Sequence, residues 1–307
     1  ARSDSHYYQM HVNAMFDICE NRYHSLMIQP RPEMNEYAAL ISLVSEGDFP
    51  DNTVFIADRG FCSLNTVANL YDRNKLFLIR AKSPDSSGSF LRKMLKAEVP
   101  CDRIVSVAVT RFQKNVAQHS CDTVKLIRKD RRFDLIGCDD TSSVYMMDLR
   151  CTCIKLDDGS YEYLVSNLPS DVLSVADLKE LYWKRWRIET SFRSLKYALS
   201  LSYLHSVKRE LIIQEVYAKV ILYNFTSLIH SYVSQSREFF EQTRNRKNKY
   251  QVSFDDAVPL SKSFLIQKMK SSKIKALLLS HLTAIKPGTP SHRNVRSQTV
   301  KTLNNRA

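Results

Sequence analysis

The sequence predicts an α/β fold: a mixed sheet flanked by helices, interrupted by a β-rich insertion and followed by a helical, basic C-terminal segment. Three observations carry this. Short, continuous apolar runs at residues 53–57 and 75–80 bracket a helical stretch, short strands dominate residues 99–167, and long helical periods return after Pro169. Early alternation of strand and helix, then a cluster of strands, suits a mixed sheet.

Taken in order, residues 9–17 alternate imperfectly, Glu20-Asn21 makes a turn and residues 23–29 return, which is a hairpin. Pro30 and Pro32 stop it. Residues 33–46 place Met34, Tyr37, Ala38, Ile41 and Val44 at helical spacing, and residues 47–52 form a loop. The apolar run at 53–57 reads as a strand buried on both faces and ends at Asp58-Arg59-Gly60. Ser63 is a natural N-cap for a helix reaching Arg73, and residues 75–80 are another strand. The texture changes at residues 82–88. Strands are expected at 104–111, 123–127, 144–156 and 161–165, with Asp157-Asp158-Gly159 as a hairpin turn. Helices are expected over 175–199 and 210–234, and weaker ones over 260–269 and 274–285; beyond Pro287 the expectation is disorder. This divides the chain into a first part of a core (1–82), a β-rich insertion (83–167), a second part of the core (168–235) and a basic segment (236–307).

The formal net charge is +13 and the sequence pI about 9.4. The charge is uneven: residues 241–307 hold 14 Lys and Arg against 3 acidic residues, most densely at Arg244, Arg246, Lys247 and Lys249. A basic chain without a membrane segment points to a polyanion; a solvated tail with no partner is the bland alternative. No stretch approaches the roughly 20 apolar residues of a membrane span, and the first residues hold no apolar signal core. The expected location is cytoplasmic, nucleoid-associated. The seven cysteines are scattered without a C-x-x-C pair, so reduced, mostly buried thiols are expected rather than zinc.

The most informative segment is residues 181–196, Leu-Tyr-Trp-Lys-Arg-Trp-Arg-Ile-Glu-Thr-Ser-Phe-Arg-Ser-Leu-Lys. Ser174 with Asp177 suggests a cap at the start of its helix. At about 100° per residue, Leu181, Ile188, Phe192, Leu195 and Leu199 fall in one apolar stripe. Tyr182, Arg185, Glu189, Arg193 and Lys196 form a second stripe beside it. Glu189 is then a carboxylate flanked by cations. It reads either as a solvated face, whose pairs contribute tenths of a kcal/mol, or as a metal-binding carboxylate at a groove whose cations meet phosphates. Trp183 and Trp186 lie at more exposed angles, where an aromatic ring can stack on an unpaired base or simply pack.

The spacing Tyr182-x2-Arg185-x3-Glu189-x6-Lys196 resembles the Y-R-E-K signature of DDE-type insertion-sequence transposases, in the branch called the insertion sequence four family. Ala57-Asp58-Arg59-Gly60-Phe61 resembles that family's D-R-G-[FY] element, and Gln9-x-His11 its Q-x-H strand, given a structural or substrate-edge role here. Asp58 stands at the carboxyl end of a buried strand, where α/β sheets place ligand groups. The resemblance covers roughly residues 7–80 and 140–235. It implies a ribonuclease H-like core in which Asp58 and Glu189 are catalytic metal ligands. The implied cofactor is Mg²⁺, for which Mn²⁺ can substitute, as two ions in the intact enzyme. It also implies that Arg185 and Lys196 hold backbone phosphates near the cut and that Tyr182 makes a phosphate contact, with Trp186 packing against a displaced base; Arg193, a cation flanking Glu189 on the same stripe, is a further DNA-binding candidate by its position. The implied partner is double-stranded DNA, transposon ends and target, bound by a homodimer in a synaptic complex. The reaction is hydrolysis at the element's ends and then attack of the freed 3′-hydroxyl on target DNA.

One part of the pattern is missing. The family's first catalytic Asp lies tens of residues before the Q-x-H strand, and neither Asp4 nor Asp17 is placed to replace it. The expectation is a fragment or a truncated gene, with little activity in this chain alone. The competing readings are an inactive or regulatory DNA-binding remnant and a ribonuclease H-like nuclease without strand transfer.

Overall fold

The expected hairpin forms. Strands β1 (Met10–Asp17) and β2 (Arg22–Pro30) pair around a turn in which Asn21 takes φ 54°, a left-handed conformation that asparagine adopts more readily than most side chains. The Asp17 carboxylate accepts the N–H groups of Cys19 and Glu20, which fixes the turn. This is a computed structural model describing residues 10–118, 120–140 and 142–285; Gln9 lies outside the described residues. The chain divides into two compact units. The first holds the chain up to Asn13 and Ser25–Arg185; the second holds Ala14–His24 and the chain from Trp186 onward.

In the first unit, helix α1 (Glu36–Glu46) is capped by Asn35, whose side chain accepts from the N–H of Ala38. Strand β3 (Val54–Ala57) leads to helix α2 (Leu64–Asp72), capped by Ser63 as expected, and then to strand β4 (Leu76–Ala81). Strands β5 (Cys101–Thr110), β6 (Thr123–Leu126), β7 (Val144–Lys155) and β8 (Tyr161–Ser166) follow. All six form one mixed sheet in the order β3-β4-β8-β7-β5-β6, parallel at β3/β4 and β5/β6 and antiparallel elsewhere. The strands of residues 83–167 therefore continue the sheet that β3 and β4 begin. β7 and β8 turn at Gly159, whose φ of 83° costs glycine nothing.

Helix α3 (Val175–Trp183) begins with a full capping box: Ser174 accepts from the N–H of Asp177, whose carboxylate accepts from the N–H of Ser174. It packs on the sheet through Leu178 and Tyr182, against Leu78, Ile154, Leu164 and Leu168. A buried arginine fixes its entry. Arg150, 1% exposed, donates to both oxygens of Asp102 and to the carbonyls of Leu173 and Pro169 just ahead of the helix.

The second unit is helical, with helices α4 (Trp186–Tyr197), α5 (Arg209–Ser234), α6 (Arg237–Thr243), α7 (Phe254–Leu265) and α8 (Ser271–Ser280). A short ribbon joins strand β9 (Tyr250–Val252) to strand β10 (Leu282–Ala284). An edge-to-face cluster centres on Tyr23, whose ring lies 5.0 Å from both Phe16 and Tyr223. The hydroxyls of Tyr23 and Ser191 hydrogen-bond at 2.7 Å.

Several expectations are corrected. The single helix over 175–199 is two, α3 and α4, because Lys184 and Arg185 form a turn closed by the bond from Arg185 N–H to the Tyr182 carbonyl. The helix expected at 260–269 starts earlier, at Phe254, behind a Ser253 cap and with Pro259 inside it. The helix expected at 274–285 stops at Ser280, and the chain then pairs as β10. The basic segment is folded as far as residue 285: Val252, Ala257, Ile274 and Leu278 build a core with Val233. The disorder expected beyond Pro287 falls outside the described residues. Of the seven cysteines only Cys151 and Cys153 are buried, while Cys19 and Cys138 are exposed. No helix among the described residues is long and apolar enough to cross a membrane.

Candidate active site

The pleat and register of the sheet put a polar row at one end of an otherwise apolar face. Successive residues of a strand point to opposite faces. Leu78 and Arg80 on β4 therefore share a face with Ser166 and Leu164, their partners on β8, and two residues further along β8 stands Glu162. On β3, Val54 and Ile56 continue this face, and Asp58, still extended at φ −77° and ψ 167°, follows at the strand's carboxyl end. Val54, Ile56, Leu78 and Leu164 pack beneath α3. Asp58, Arg80 and Glu162 thus end three neighbouring strands on the face that α3 covers.

Helix α3 carries Tyr182 onto this row. Its side chain is 3% exposed, and its hydroxyl donates to Asp58 Oδ1 at 3.1 Å. Burial, foremost, pushes its hydroxyl pKa up to about 12, with Arg185 opposing and Asp58 adding to the rise. The phenol therefore keeps its proton near neutral pH and stays a donor. Tyr182, for which the sequence resemblance implies a phosphate contact, here donates to a carboxylate. The Arg185 guanidinium lies 5.6 Å from the centre of the Tyr182 ring, within cation–π reach.

Arg80 and Glu162, which the sequence reading did not single out, complete the row. Arg80 Nε lies 3.5 Å from Glu162 Oε1, and the Glu162 side chain is only 11% exposed. Burial raises the Glu162 carboxyl above its ordinary range; Arg80, Arg185 and Lys179 oppose this, and Asp58 adds to it. Immediately after Asp58, a cavity of about 460 Å³ is lined by Arg59, Gly60, Ser63, Lys82, Phe90 and Lys125 among others. Lys125 donates to the carbonyls of Phe90 and Arg92, and burial lowers its pKa to about 8.

The remaining residues singled out from sequence lie on α4, in the second unit. Glu189 is in its first turn, where a negative charge suits the helix dipole. Glu189, Arg193 and Lys196 are exposed, as is Trp186 at 51%. Arg187 donates to the Ile18 carbonyl at 2.7 Å and Ser191 to that of Ile188, which anchors α4 within its unit. The structure thus brings Asp58, Tyr182 and Arg185 together in the first unit and aligns Trp186, Glu189, Arg193 and Lys196 along one helix of the second. Carboxylate oxygens are the hard donors that Mg²⁺ and Mn²⁺ select. Among the described residues there is no group of three or more His, Cys, Asp or Glu side chains suited to a metal ion.

Comparison with known proteins follows the same residues. No curated protein matches the chain. The family model described as the transposase DDE domain matches residues 1–225, which include Asp58, Tyr182, Arg185 and Glu189. The six-stranded mixed sheet with its flanking helices is consistent with the ribonuclease H-like fold of that family. With most of its length matched, the chain belongs to the transposase DDE domain family.

Proposed function

We propose that this chain is the metal-dependent catalytic part of an insertion-sequence transposase of the insertion sequence four branch, acting on double-stranded DNA. Asp58 and Glu189 are the carboxylates that hold divalent ions, Mg²⁺ or Mn²⁺. The observation that carries the reading is the hydrogen bond from Tyr182 to Asp58, which ties the D-R-G element to the first residue of the Y-R-E-K signature across 124 residues. Bound divalent ions would supply an activated water or 3′-hydroxyl and charge stabilisation for the departing oxygen.

The chain's own residues prepare this chemistry. Tyr182, kept protonated, donates to one oxygen of Asp58 and orients the carboxylate. Such a partner orients a metal ligand without itself touching the ion. Arg185, Arg193 and Lys196 are the cations for backbone phosphates near the cut. Trp186, half exposed, has a ring face for an unpaired base. Under this reading two copies synapse the element's ends.

The test is Mn²⁺ binding, followed by electron paramagnetic resonance, together with nicking of supercoiled plasmid in Mg²⁺ or Mn²⁺. Mn²⁺ binding, with any residual nicking, that disappears in Asp58→Asn and in Glu189→Gln supports the reading. Metal-dependent nicking that survives both substitutions refutes it. DNA binding without metal binding instead favours a regulatory remnant.

A further inference from the structure

The order β3-β4-β8 leaves Arg80 on the middle strand, between the strand that ends at Asp58 and the strand that carries Glu162. A guanidinium in that position can pair with either carboxylate. It pairs with Glu162, at 3.5 Å, while Asp58 accepts a hydrogen bond from Tyr182. The pair is asymmetric in its surroundings: Glu162 is 11% exposed and Arg80 35%. Attraction between charges grows as water is excluded, so the sheltered Glu162 is well placed to keep Arg80. An Arg80–Asp58 pair would cover the oxygens that a cation needs, since arginine engages carboxylates through two parallel donors.

We infer that Glu162 is a positioning residue that draws Arg80 away from Asp58 and so keeps that carboxylate open to a divalent cation. The inference rests on the assignment of Asp58 as a metal ligand for its consequence, though not for its geometry. Burial raises the Glu162 carboxyl above its ordinary range, and Arg80 is the foremost of the three cations that oppose the rise. The competing account is an ordinary, partly exposed ion pair, which adds little to stability and affects nothing else.

The two accounts separate in a measurement that needs no metal. In the full chain, exchange of the Arg80 Nε–H with solvent is followed by ¹⁵N NMR, the resonance being assigned by its loss in Arg80→Lys. With Glu162 intact, Asp58→Asn leaves that exchange unchanged. In Glu162→Gln, Arg80 turns to Asp58, so adding Asp58→Asn speeds exchange about tenfold as the remaining charged partner is lost. The consequence is read in Mn²⁺ affinity: Glu162→Gln weakens it about tenfold, the lower end for second partners of metal ligands. Glu162→Gln with Arg80→Gln restores it, and Glu162→Asp behaves like the parent in both assays. The inference is overturned if Arg80 exchange in Glu162→Gln ignores Asp58, or if Mn²⁺ affinity is the same with and without Glu162. If the parent chain shows no Asp58-dependent Mn²⁺ binding, the metal assignment fails, and the exchange comparison alone decides the placement of Arg80.

Discussion

Replacing Asp102 with Asn should destabilise the first unit by about 3 kcal/mol, because it leaves a buried guanidinium without its counter-charge. Arg150 is 1% exposed, and two of its donors go to Asp102, at 2.9 Å from Nε and 2.7 Å from Nη2. Thr152 donates to the same carboxylate at 2.9 Å. Breaking one side of a buried pair costs about 3–5 kcal/mol; the lower end applies because the Asp102 side chain keeps 25% of its exposure and Arg150 also reaches the Leu173 carbonyl at 2.8 Å. Urea unfolding is the assay: the midpoint should fall while the m-value stays constant. Acid supplies an independent check. The hydrogen bond from Arg150, the largest cause, lowers the Asp102 carboxyl below its ordinary value, burial opposes it, and Thr152 and the Arg150 charge add to the lowering. A carboxyl lowered in the folded state stabilises fully above its unfolded value, near 3.9 for aspartate, and loses that contribution as pH falls through the folded value. The difference between parent and Asp102→Asn should therefore shrink once pH drops below about 4. A loss below about 1 kcal/mol at neutral pH, or one that does not change with acid, would refute the account of Arg150 as a charged clamp.

Other perturbations follow from the same geometry. Tyr182→Phe removes the donor to Asp58 but keeps the ring. It should cost about 0.5–1.5 kcal/mol of stability in urea unfolding and weaken Mn²⁺ binding about tenfold; an unchanged Mn²⁺ affinity would remove Tyr182 from the site. Gly159→Ala places a side chain at φ 83° in the β7–β8 turn and should cost about 1–2 kcal/mol, read by thermal melting. Truncation at residue 241 would strip Val252, Ala257, Ile274 and Leu278 from the core around Val233, so substitutions test the basic segment better. Changing Arg244, Arg246, Lys247 and Lys249 to Gln should flatten the slope of log DNA affinity against log salt by up to about 3.6 if all four meet phosphates. An unaltered slope would make that run a bystander.

What could be read from the sequence was local. The Ser63 and Ser174 caps, the Asn21 and Gly159 turns and the run at β3 are set by residues within a few positions of one another, and each appears where its residue types predict, although β3 is an edge strand with only Phe55 buried rather than a strand buried on both faces. The break between α3 and α4 had no such signal: residues 181–196 contain neither Gly nor Pro, and the apolar spacing runs on through Lys184 and Arg185. Treating the segment as one helix placed Tyr182 and Glu189 on a common stripe. The break sets Tyr182 on a helix that closes over the sheet, where its ring is buried, and begins a new helix whose first turn carries Glu189. The helix expected from residue 260 begins instead at Phe254, behind the Ser253 cap, and passes through Pro259.

The polar row shows why motif reading found Asp58 and missed its neighbours. Asp58 belongs to a compact element, with Arg59 and Gly60 beside it in sequence. Arg80 and Glu162 come together only because β4 pairs with β8 across some eighty residues, in a register that sets Arg80 opposite Leu164 and leaves Glu162 one step along the same face. No helical or strand period within either segment reports that pairing, and an Arg or Glu near a strand end reads as an ordinary solvated charge. The register also gives their meeting its physical content. A one-residue slip of β8 against β4 would turn Glu162 to the other face, and Arg80 would then have Asp58 as the carboxylate within reach on its own face. The apolar residues that pin this register, Leu78 and Leu164 beneath α3, therefore also determine which carboxylate Arg80 neutralises.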